Sequence, residues 1–276
     1  MRTPLVREIK ASSALGKSGM KELDYAFNPY SGCLHSCDYC YAMDFTKTGV
    51  DIPWGEYVYV RTNIVELLRR DAVSKRKGIV GVSTITDPYQ AVEGKYRITR
   101  ESIPILCSNG FHVSIQTKSP LILRDLDILT RYRRNLDAGF SIATPYADRA
   151  IQMERRAPSP RARIKALERL SSEGIKTWIF LGPIFPGFND TDGEFSEIAE
   201  IALSTGSRII YDSYNHFRGS DTALKKNGHV PYLFSREQYA EAERKLLMIC
   251  NRKGVRCNSE AEDWLVERSS MNRPLF

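Results

Sequence analysis

Asn28-Pro29-Tyr30-Ser31-Gly32-Cys33-Leu34-His35-Ser36-Cys37-Asp38-Tyr39-Cys40-Tyr41-Ala42 places three of the chain's six cysteines within eight positions. Thiols spaced three and two residues apart can converge on one metal centre. As close neighbours in the chain they would make only a strained disulfide. Thiolate ligands select zinc or iron–sulfur clusters. A structural zinc site closes with four ligands, and no second Cys or His pair stands nearby at zinc-ribbon spacing. His35 is the candidate for a fourth ligand on that reading. A [4Fe–4S] cluster held by three thiolates instead leaves one iron open for a substrate or cofactor. Cys107, Cys250 and Cys257 are scattered, so the six cysteines do not form a disulfide scaffold.

Around this loop the sequence alternates short β-branched runs with amphipathic stretches. Strands are expected at Asp24–Phe27, Ile79–Ile85, His112–Thr117, Gly139–Thr144, Lys176–Leu181 and Arg208–Asp212. Helices are expected at Asn63–Arg76, Arg100–Asn109, Ile122–Arg133, Pro160–Glu173, Gly193–Ser204 and from Ser235 to about Arg252. Asn63 with Glu66, and Ser235 with Gln238, have capping-box spacing, and Ser159 precedes Pro160 at a helix start. Strand then helix, six times over, predicts parallel strands joined by right-handed crossovers. Periodicity alone leaves a partial barrel and an open doubly wound sheet both standing. From Tyr214 onward the chain reads as an extension: a polar loop, the last helix, a short segment near Val255–Cys257, and a tail.

The chain has 276 residues, 42% hydrophobic and 26% charged, which excludes a disordered polypeptide and suffices for a large core. No apolar run approaches a membrane helix. The first residues lack the apolar core of a signal peptide, so a cytoplasmic location is expected. Lys and Arg number 40 against 33 Asp and Glu, a net charge of +7. That balance permits an anionic substrate without requiring one. The basic clumps at Arg69-Arg70, Lys75–Lys77, Arg131–Arg134 and Arg155–Arg163 read chiefly as solvated helix faces.

The Cys-x3-Cys-x2-Cys spacing, with an aromatic before the last cysteine, resembles the signature of the radical S-adenosylmethionine (SAM) superfamily. The loop at 28–42 is more narrowly similar to the spore photoproduct lyase-like branch, whose members carry the label "DNA repair photolyase". Thr84–Gln90, Thr117-Lys118-Ser119, Arg124-Asp125, Glu154–Pro160 and Pro183–Asp190 resemble that branch as well. The similarity runs from about Val6 to Asp190. It implies an α/β fold, a partial (β/α)6 TIM-like barrel with a C-terminal helical extension. The core would span 1–213 and the extension 214–276. It implies a [4Fe–4S] cluster on Cys33, Cys37 and Cys40, with SAM chelating the open iron. One electron, from a donor such as flavodoxin or ferredoxin, would then release a 5′-deoxyadenosyl radical that abstracts hydrogen from a substrate.

By the same comparison Tyr39 packs near the adenine, and Lys118 pairs with the SAM carboxylate as a point charge. Thr86 and Ser141 are hydroxyls at strand ends, suited to SAM or equally to local backbone capping. Glu154, Arg155 and Arg161 suit ribose hydroxyls and a carboxylate, or equally a surface ion pair. Spore photoproduct lyases quench the product radical with a barrel cysteine. The matching place here holds Thr84, beside Ser83, and an alcohol O–H bond is far stronger than S–H. Cys250 and Cys257 are therefore the candidate hydrogen donors, each also suited to core packing. The segment Tyr211–Arg218 is rich in groups that bind bases or sugars, and would also serve as an ordered polar loop.

Three functions follow from this. The first is hydrogen abstraction by a radical SAM enzyme on a small molecule or peptide. The second is lyase-like repair or modification of nucleic acid. The third, of another class, is a non-catalytic metal-binding module for nucleic acid, which would carry zinc and leave SAM intact.

Overall fold

The computed structural model describes residues 3–46, 52–260 and 262. The chain begins with β1 (Leu5–Ile9), β2 (Gly16–Lys17), β3 (Tyr25–Phe27), β4 (Tyr30–Ser31) and the one-turn helix α1 (Ala42–Phe45). Next come β5 (Tyr57–Arg61), α2 (Ile64–Ser74), β6 (Ile79–Val82), α3 (Glu93–Tyr96), α4 (Ile98–Ser108) and β7 (His112–Thr117). A 3-10 turn at Pro120–Asp125 leads into α5 (Leu126–Arg131), followed by β8 (Leu136–Ser141), α6 (Ala147–Met153) and α7 (Pro160–Ser172). The remainder is β9 (Lys176–Ile184), α8 (Asp192–Thr205), β10 (Arg208–Ser213), α9 (Arg218–Asn227), α10 (Arg236–Lys253) and β11 (Cys257–Ser259).

Eight strands form one sheet in the order β11-β10-β9-β8-β7-β6-β3-β2. Every neighbouring pair is parallel except β2 with β3. The six strands read from the sequence are its centre, in chain order. The order is that of the expected partial barrel, and the described sheet stays open, with β2 and β11 at its edges. A smaller sheet, β1-β5-β4, was not foreseen. It flanks the cysteine loop, because β4 pairs antiparallel with β5 just before Cys33.

Side chains alternate across a strand, and here the alternation divides two environments. Val80, Val113, Ile115, Ala138, Phe140, Ile179, Leu181 and Ile209 pack into the core beneath the helices. Their neighbours Gly81, Ser114, Gln116, Trp178, Phe180 and Ile210 line internal space on the other face. At Gly139 a Cβ atom would lie 2.2 Å from the Trp178 ring, so only glycine admits the indole. Trp178 Nε1 donates to Asp137 Oδ1 at 2.8 Å, and Asp137 also bonds Ser114 Oγ and His112 Nε2, both at 2.7 Å. This buried network fills the N-terminal end of the strands. The open space therefore lies toward their C-terminal ends.

Local expectations were met unevenly. Ser235 and Gln238 form the capping box of α10, and Ser159 caps α7 by accepting from Ala162 N. Asn63 does not cap α2 with its side chain. Its amide instead pairs with the backbone of Ala11, through bonds of 2.7 and 3.0 Å. The expected helix at 122–133 starts as a 3-10 turn, since Pro120 and the Ser119 side chain set its geometry. β8 begins three residues earlier than expected, because Asp137 is an inward strand residue. The expected polar loop after Tyr214 contains α9. Beyond it β11 joins β10 in parallel, so the extension shares the main sheet. The expected tail lies outside the described residues apart from 258–260 and 262. Among the described residues no helix is long and apolar enough to cross a membrane.

Candidate active site and cofactor cavity

The cysteine loop leaves β3 at the C-terminal edge of the sheet and is fixed by polar side chains from the β6 end. Asn28 Oδ1 accepts from Thr84 N at 3.0 Å and Ile85 N at 3.1 Å. Gln90 accepts from Leu34 N at 3.0 Å and donates to the Gly32 carbonyl at 3.1 Å. Thr86 Oγ1 donates to the same carbonyl at 2.6 Å. Gly32 has φ +86°, and a Cβ there would meet the Tyr57 carbonyl oxygen at 2.6 Å. Only glycine makes this turn into Cys33.

The far side of the loop is zipped to the segment after α6. Cys37 and Glu154 form an antiparallel bridge, Asp38 N donates to Met153 O at 2.9 Å, and Arg156 N donates to His35 O at 3.1 Å. His35 Nε2 lies 3.1 Å from Asp87 Oδ2, both residues being buried. Asp87 also accepts from Thr117 Oγ1 at 2.7 Å, Tyr89 N at 2.8 Å and Lys118 N at 2.8 Å. Burial alone would raise the Asp87 pKa, but the His35 imidazole and these hydrogen bonds bring it down to about 2. His35 thus braces the loop through an anchored carboxylate.

The three cysteines line a cavity of about 390 Å³ at the C-terminal ends of β6 to β10. Burial, then Asp87 and Cys40, push the Cys33 thiol up to about 12. Cys37 and Cys40 are likewise raised chiefly by burial, and Cys33 and Cys40 both act on Cys37. Thiols raised in this way hold their protons at neutral pH, so metal binding there must displace protons. Three thiols that act on one another and line one cavity, with no other cysteine among the described lining residues, fit a three-thiolate cluster open toward the cavity.

Tyr39, Thr86, Lys118 and Ser141 all line the same cavity. Tyr39 donates its hydroxyl to Glu154 Oε1 and turns its ring edge to Phe185. Lys118 Nζ lies 5.5 Å from the Tyr39 ring centroid and 3.9 Å from Glu154 Oε1. Burial would lower the Lys118 pKa, but Cys37 in its thiolate form and Glu154 outweigh it and the amine stays charged. Ser141 Oγ accepts from Gln116 Nε2 at 3.0 Å. Thr86 Oγ1 donates to the Gly32 carbonyl and accepts from Gln90 Nε2 at 2.8 Å, which leaves it one lone pair as an acceptor.

Glu154 is buried just behind this wall, 3% exposed, and receives the Arg163 guanidinium on its other oxygen. Arg163 also donates to the Ser141 carbonyl at 2.9 Å and the Pro158 carbonyl at 2.8 Å. The sequence reading had singled out Arg161, which is exposed and does not reach the cavity. The helical period held the signal: Arg163 shares the buried stripe of α7 with Ala166, Leu167 and Leu170. Arg155 is also outside the cavity, pairing with Asp38 Oδ2 at 3.0 Å and half exposed. Neither hydrogen-donor candidate reaches the cavity. Cys250 is buried in α10 against the core. Cys257 is in register with Ile209, whose side chain faces the helices, so the pleat turns Cys257 the same way.

Two lining residues, Tyr41 and Glu260, escaped the sequence reading, while Asp212 lies in the segment Tyr211–Arg218 that it marked. Tyr41 donates its hydroxyl to the Thr84 carbonyl, and its ring packs 5.9 Å from both Phe45 and Phe217. Asp212 and Glu260 come from the ends of β10 and β11. Nothing in the periodicity marks Glu260, because it reaches the cavity only through the pairing of β11 with β10.

Comparison with known proteins agrees with this geometry. The model of the radical SAM superfamily matches residues 27–201. An uncharacterized protein of Methanocaldococcus jannaschii is 30% identical over 185 residues, covering 67% of this chain and 70% of that one. An uncharacterized protein of Acidianus two-tailed virus is 33% identical over 199 residues, covering 67% and 65%. A third, from Mycobacterium tuberculosis, is 28% identical over 226 residues, covering 77% and 66%. The chain thus spans about two-thirds of the length of these relatives. Among solved structures, spore photoproduct lyase complexed with dinucleoside spore photoproduct superposes with a TM-score of 0.73 at 14% identity, covering 92% and 81%. A variant of that enzyme with bound AdoMet and the same dinucleoside scores 0.72, also at 14% identity and 92% and 81% coverage. Streptococcus suis SuiB bound to S-adenosylmethionine scores 0.60 at 11% identity, covering 94% and 51%. At these identities the structural likeness speaks for the fold, while the superfamily match takes in more than half of the chain. An open parallel sheet with a three-cysteine loop over its C-terminal end is therefore no isolated coincidence of form: the chain belongs to the radical SAM superfamily and is an enzyme of that class.

Proposed function

We propose that Cys33, Cys37 and Cys40 hold a [4Fe–4S] cluster and that the cavity beside them binds SAM and a substrate. The observation that carries this reading is the shared cavity: the three thiols, Lys118, Tyr39, Thr86 and Ser141 line one space at the strand ends. When bound and reduced by a donor such as flavodoxin or ferredoxin, the cluster and SAM supply a 5′-deoxyadenosyl radical for hydrogen abstraction.

The chain's own residues bind, orient and exclude water. Lys118 is the one Lys or Arg among the described lining residues and suits the SAM carboxylate. Glu154 holds Lys118 in place and is itself neutralised by Arg163. Ser141 offers a hydroxyl proton, and Thr86 an acceptor, to the hydroxyls and amine of SAM. Tyr39 provides an aromatic wall. Tyr41 lines the same space with its hydroxyl on the Thr84 carbonyl, and a phenol O–H is far weaker than the alcohol O–H of Ser83 or Thr84. Tyr41 therefore takes the place of Cys250 and Cys257 as the candidate for returning a hydrogen atom, the tyrosyl radical left behind being restored by one electron from the same donor and one proton from solvent.

Chemistry on nucleic acid is the second reading, favoured by the superposition on a lyase complexed with a dinucleoside. Among the described lining residues, no thiol other than the three cluster candidates is available to quench a product radical, which weighs against direct transfer of that lyase's reaction.

The test is anaerobic reconstitution with iron and sulfide, then dithionite and SAM, with 5′-deoxyadenosine measured by chromatography. Wild type should form it and Cys37→Ala should not. About one zinc per chain, no iron and no SAM cleavage would instead establish the binding module. Deuterium transfer from labelled candidates into 5′-deoxyadenosine then identifies the substrate.

A further inference from the structure

We infer that the substrate carries a cationic nitrogen, an ammonium, amidinium or guanidinium group, seated between Asp212 and Glu260 where the sheet stays open. The inference rests on the reading of this cavity as the SAM and substrate site, and it names the substrate class.

The cavity is polarised along its length. At the cysteine end the charged lining groups are already engaged, Lys118 with Glu154 and Asp87 with His35. At the other end the described lining residues carry carboxyl groups and no Lys or Arg. Asp212 closes β10 and Glu260 follows β11, so both belong to one edge of the sheet. Glu22, between β2 and β3, acts on both from the opposite edge. The break in the sheet is thus flanked by acids from its two sides.

Burial first, then Asp212 and Glu22, raise the Glu260 pKa to about 8. Asp212 is raised as well, by burial and then Glu22, against hydrogen bonds from Ser213 N and Asn215 Nδ2. Tyr41 is the other titratable group acting here, and Tyr239 packs near Asp212. Two carboxyls that cannot comfortably both ionise in an empty cavity can do so around a cation. Such a cation releases the proton held on Glu260 to solvent.

The rest of the lining fits a small organic cation. Tyr41 and Phe217, tilted at 39° with centroids 5.9 Å apart, supply aromatic surface beside the acids. Ring faces attract cations. Among the described lining residues a phosphodiester would meet no counter-charge at this end. The chain's excess of basic residues does not supply one, because Arg69, Arg70, Arg131, Arg133 and Arg134 are exposed on helices and loops of the outer surface.

Titration calorimetry on the full chain tests this, with 1,4-diaminobutane and methylguanidinium as probes. Their neutral counterparts are 1,4-butanediol and N-methylurea, and a thymidine dinucleotide serves as the anion. Saturable one-site binding of a cation is expected. Its heat should differ between buffers of different ionisation enthalpy, as proton release requires. Binding should weaken at least tenfold in Glu260→Gln and in Asp212→Asn, while the neutral probes bind at least tenfold more weakly than the cations. Melting curves confirm that each variant is folded, and either folded variant suffices. Equal binding of neutral and cationic probes, or unchanged cation affinity in a folded variant, overturns the inference. So does a dinucleotide that binds more tightly than the cations. Formation of 5′-deoxyadenosine by wild type is scored separately. Without it the SAM reading fails whatever the amines do; with it, absent cation binding sinks this inference alone.

Discussion

Glu154 is enclosed by the Arg163 guanidinium on one oxygen and the Tyr39 hydroxyl on the other, with the Lys118 amine near. Burial would raise its pKa, but Arg163 and Lys118 outweigh that and hold it low. Removing one partner of a buried pair strands the other charge. Arg163→Met should therefore cost about 3–5 kcal/mol, and combining it with Glu154→Gln should recover part of the loss. Urea denaturation checks both. At the floor of the cavity, burial would raise the Asp137 pKa, but His112, Arg208 and Ser114 bring it below the usual value. A carboxyl depressed in the folded state stabilises above its unfolded pKa, and that contribution is lost as pH falls through the folded value. The stability gap between wild type and Asp137→Asn should be full at pH 6 and shrink as pH drops through about 4 and below. Fluorescence of Trp178, which donates to Asp137, is one reporter of that unfolding. Tyr41→Phe keeps the ring contacts to Phe45 and Phe217 and removes only the O–H. It should leave the cluster absorbance unchanged and slow product formation from the first turnover onward, as rapid-quench kinetics would show.

Strands and helices here carry their own instructions, and some can be weighed. Gly139 in β8 admits Trp178 of β9, so Gly139→Ala must push an indole that is hydrogen-bonded at its nitrogen. Overpacking of this kind costs about 1–3 kcal/mol, which thermal melting would register as a lowered Tm. The α10 capping box was legible because Ser235 and Gln238 are local to one turn, and their bonds depend on nothing distant. The α2 reading failed for the opposite reason. Asn63 has the right type and spacing, but Ala11, 52 residues away, offers its amide two backbone bonds. α9 was missed because its sequence is polar. It is held by Leu224 in the core and by Gly219 N donating to Asp44 at 3.0 Å, a contact 175 residues apart in sequence.

For the whole molecule, the cysteine loop links three structural units. β4 ties it to the small sheet, Asn28, Thr86 and Gln90 hold it to β6, and the residues around Glu154 pair with it after α6. A cluster bound to the folded chain alone adds stability by mass action. The reconstituted protein should therefore melt above the metal-free protein, and Cys33→Ala should show little of that rise. Composition, period and motif spacing were enough for the class of fold, its six central strands and the three cysteines. Those signals are local: a 2-residue or 3.6-residue period, and ligands seven positions apart from first to last. Tertiary structure alone decided that Arg163, not Arg161, meets Glu154, that Cys250 and Cys257 face away from the cavity, and that Asp212 and Glu260 meet at its open edge. Each of those depends on which face of an element turns inward once distant strands pair. A pattern along the chain fixes neither the register of that pairing nor the neighbour across it.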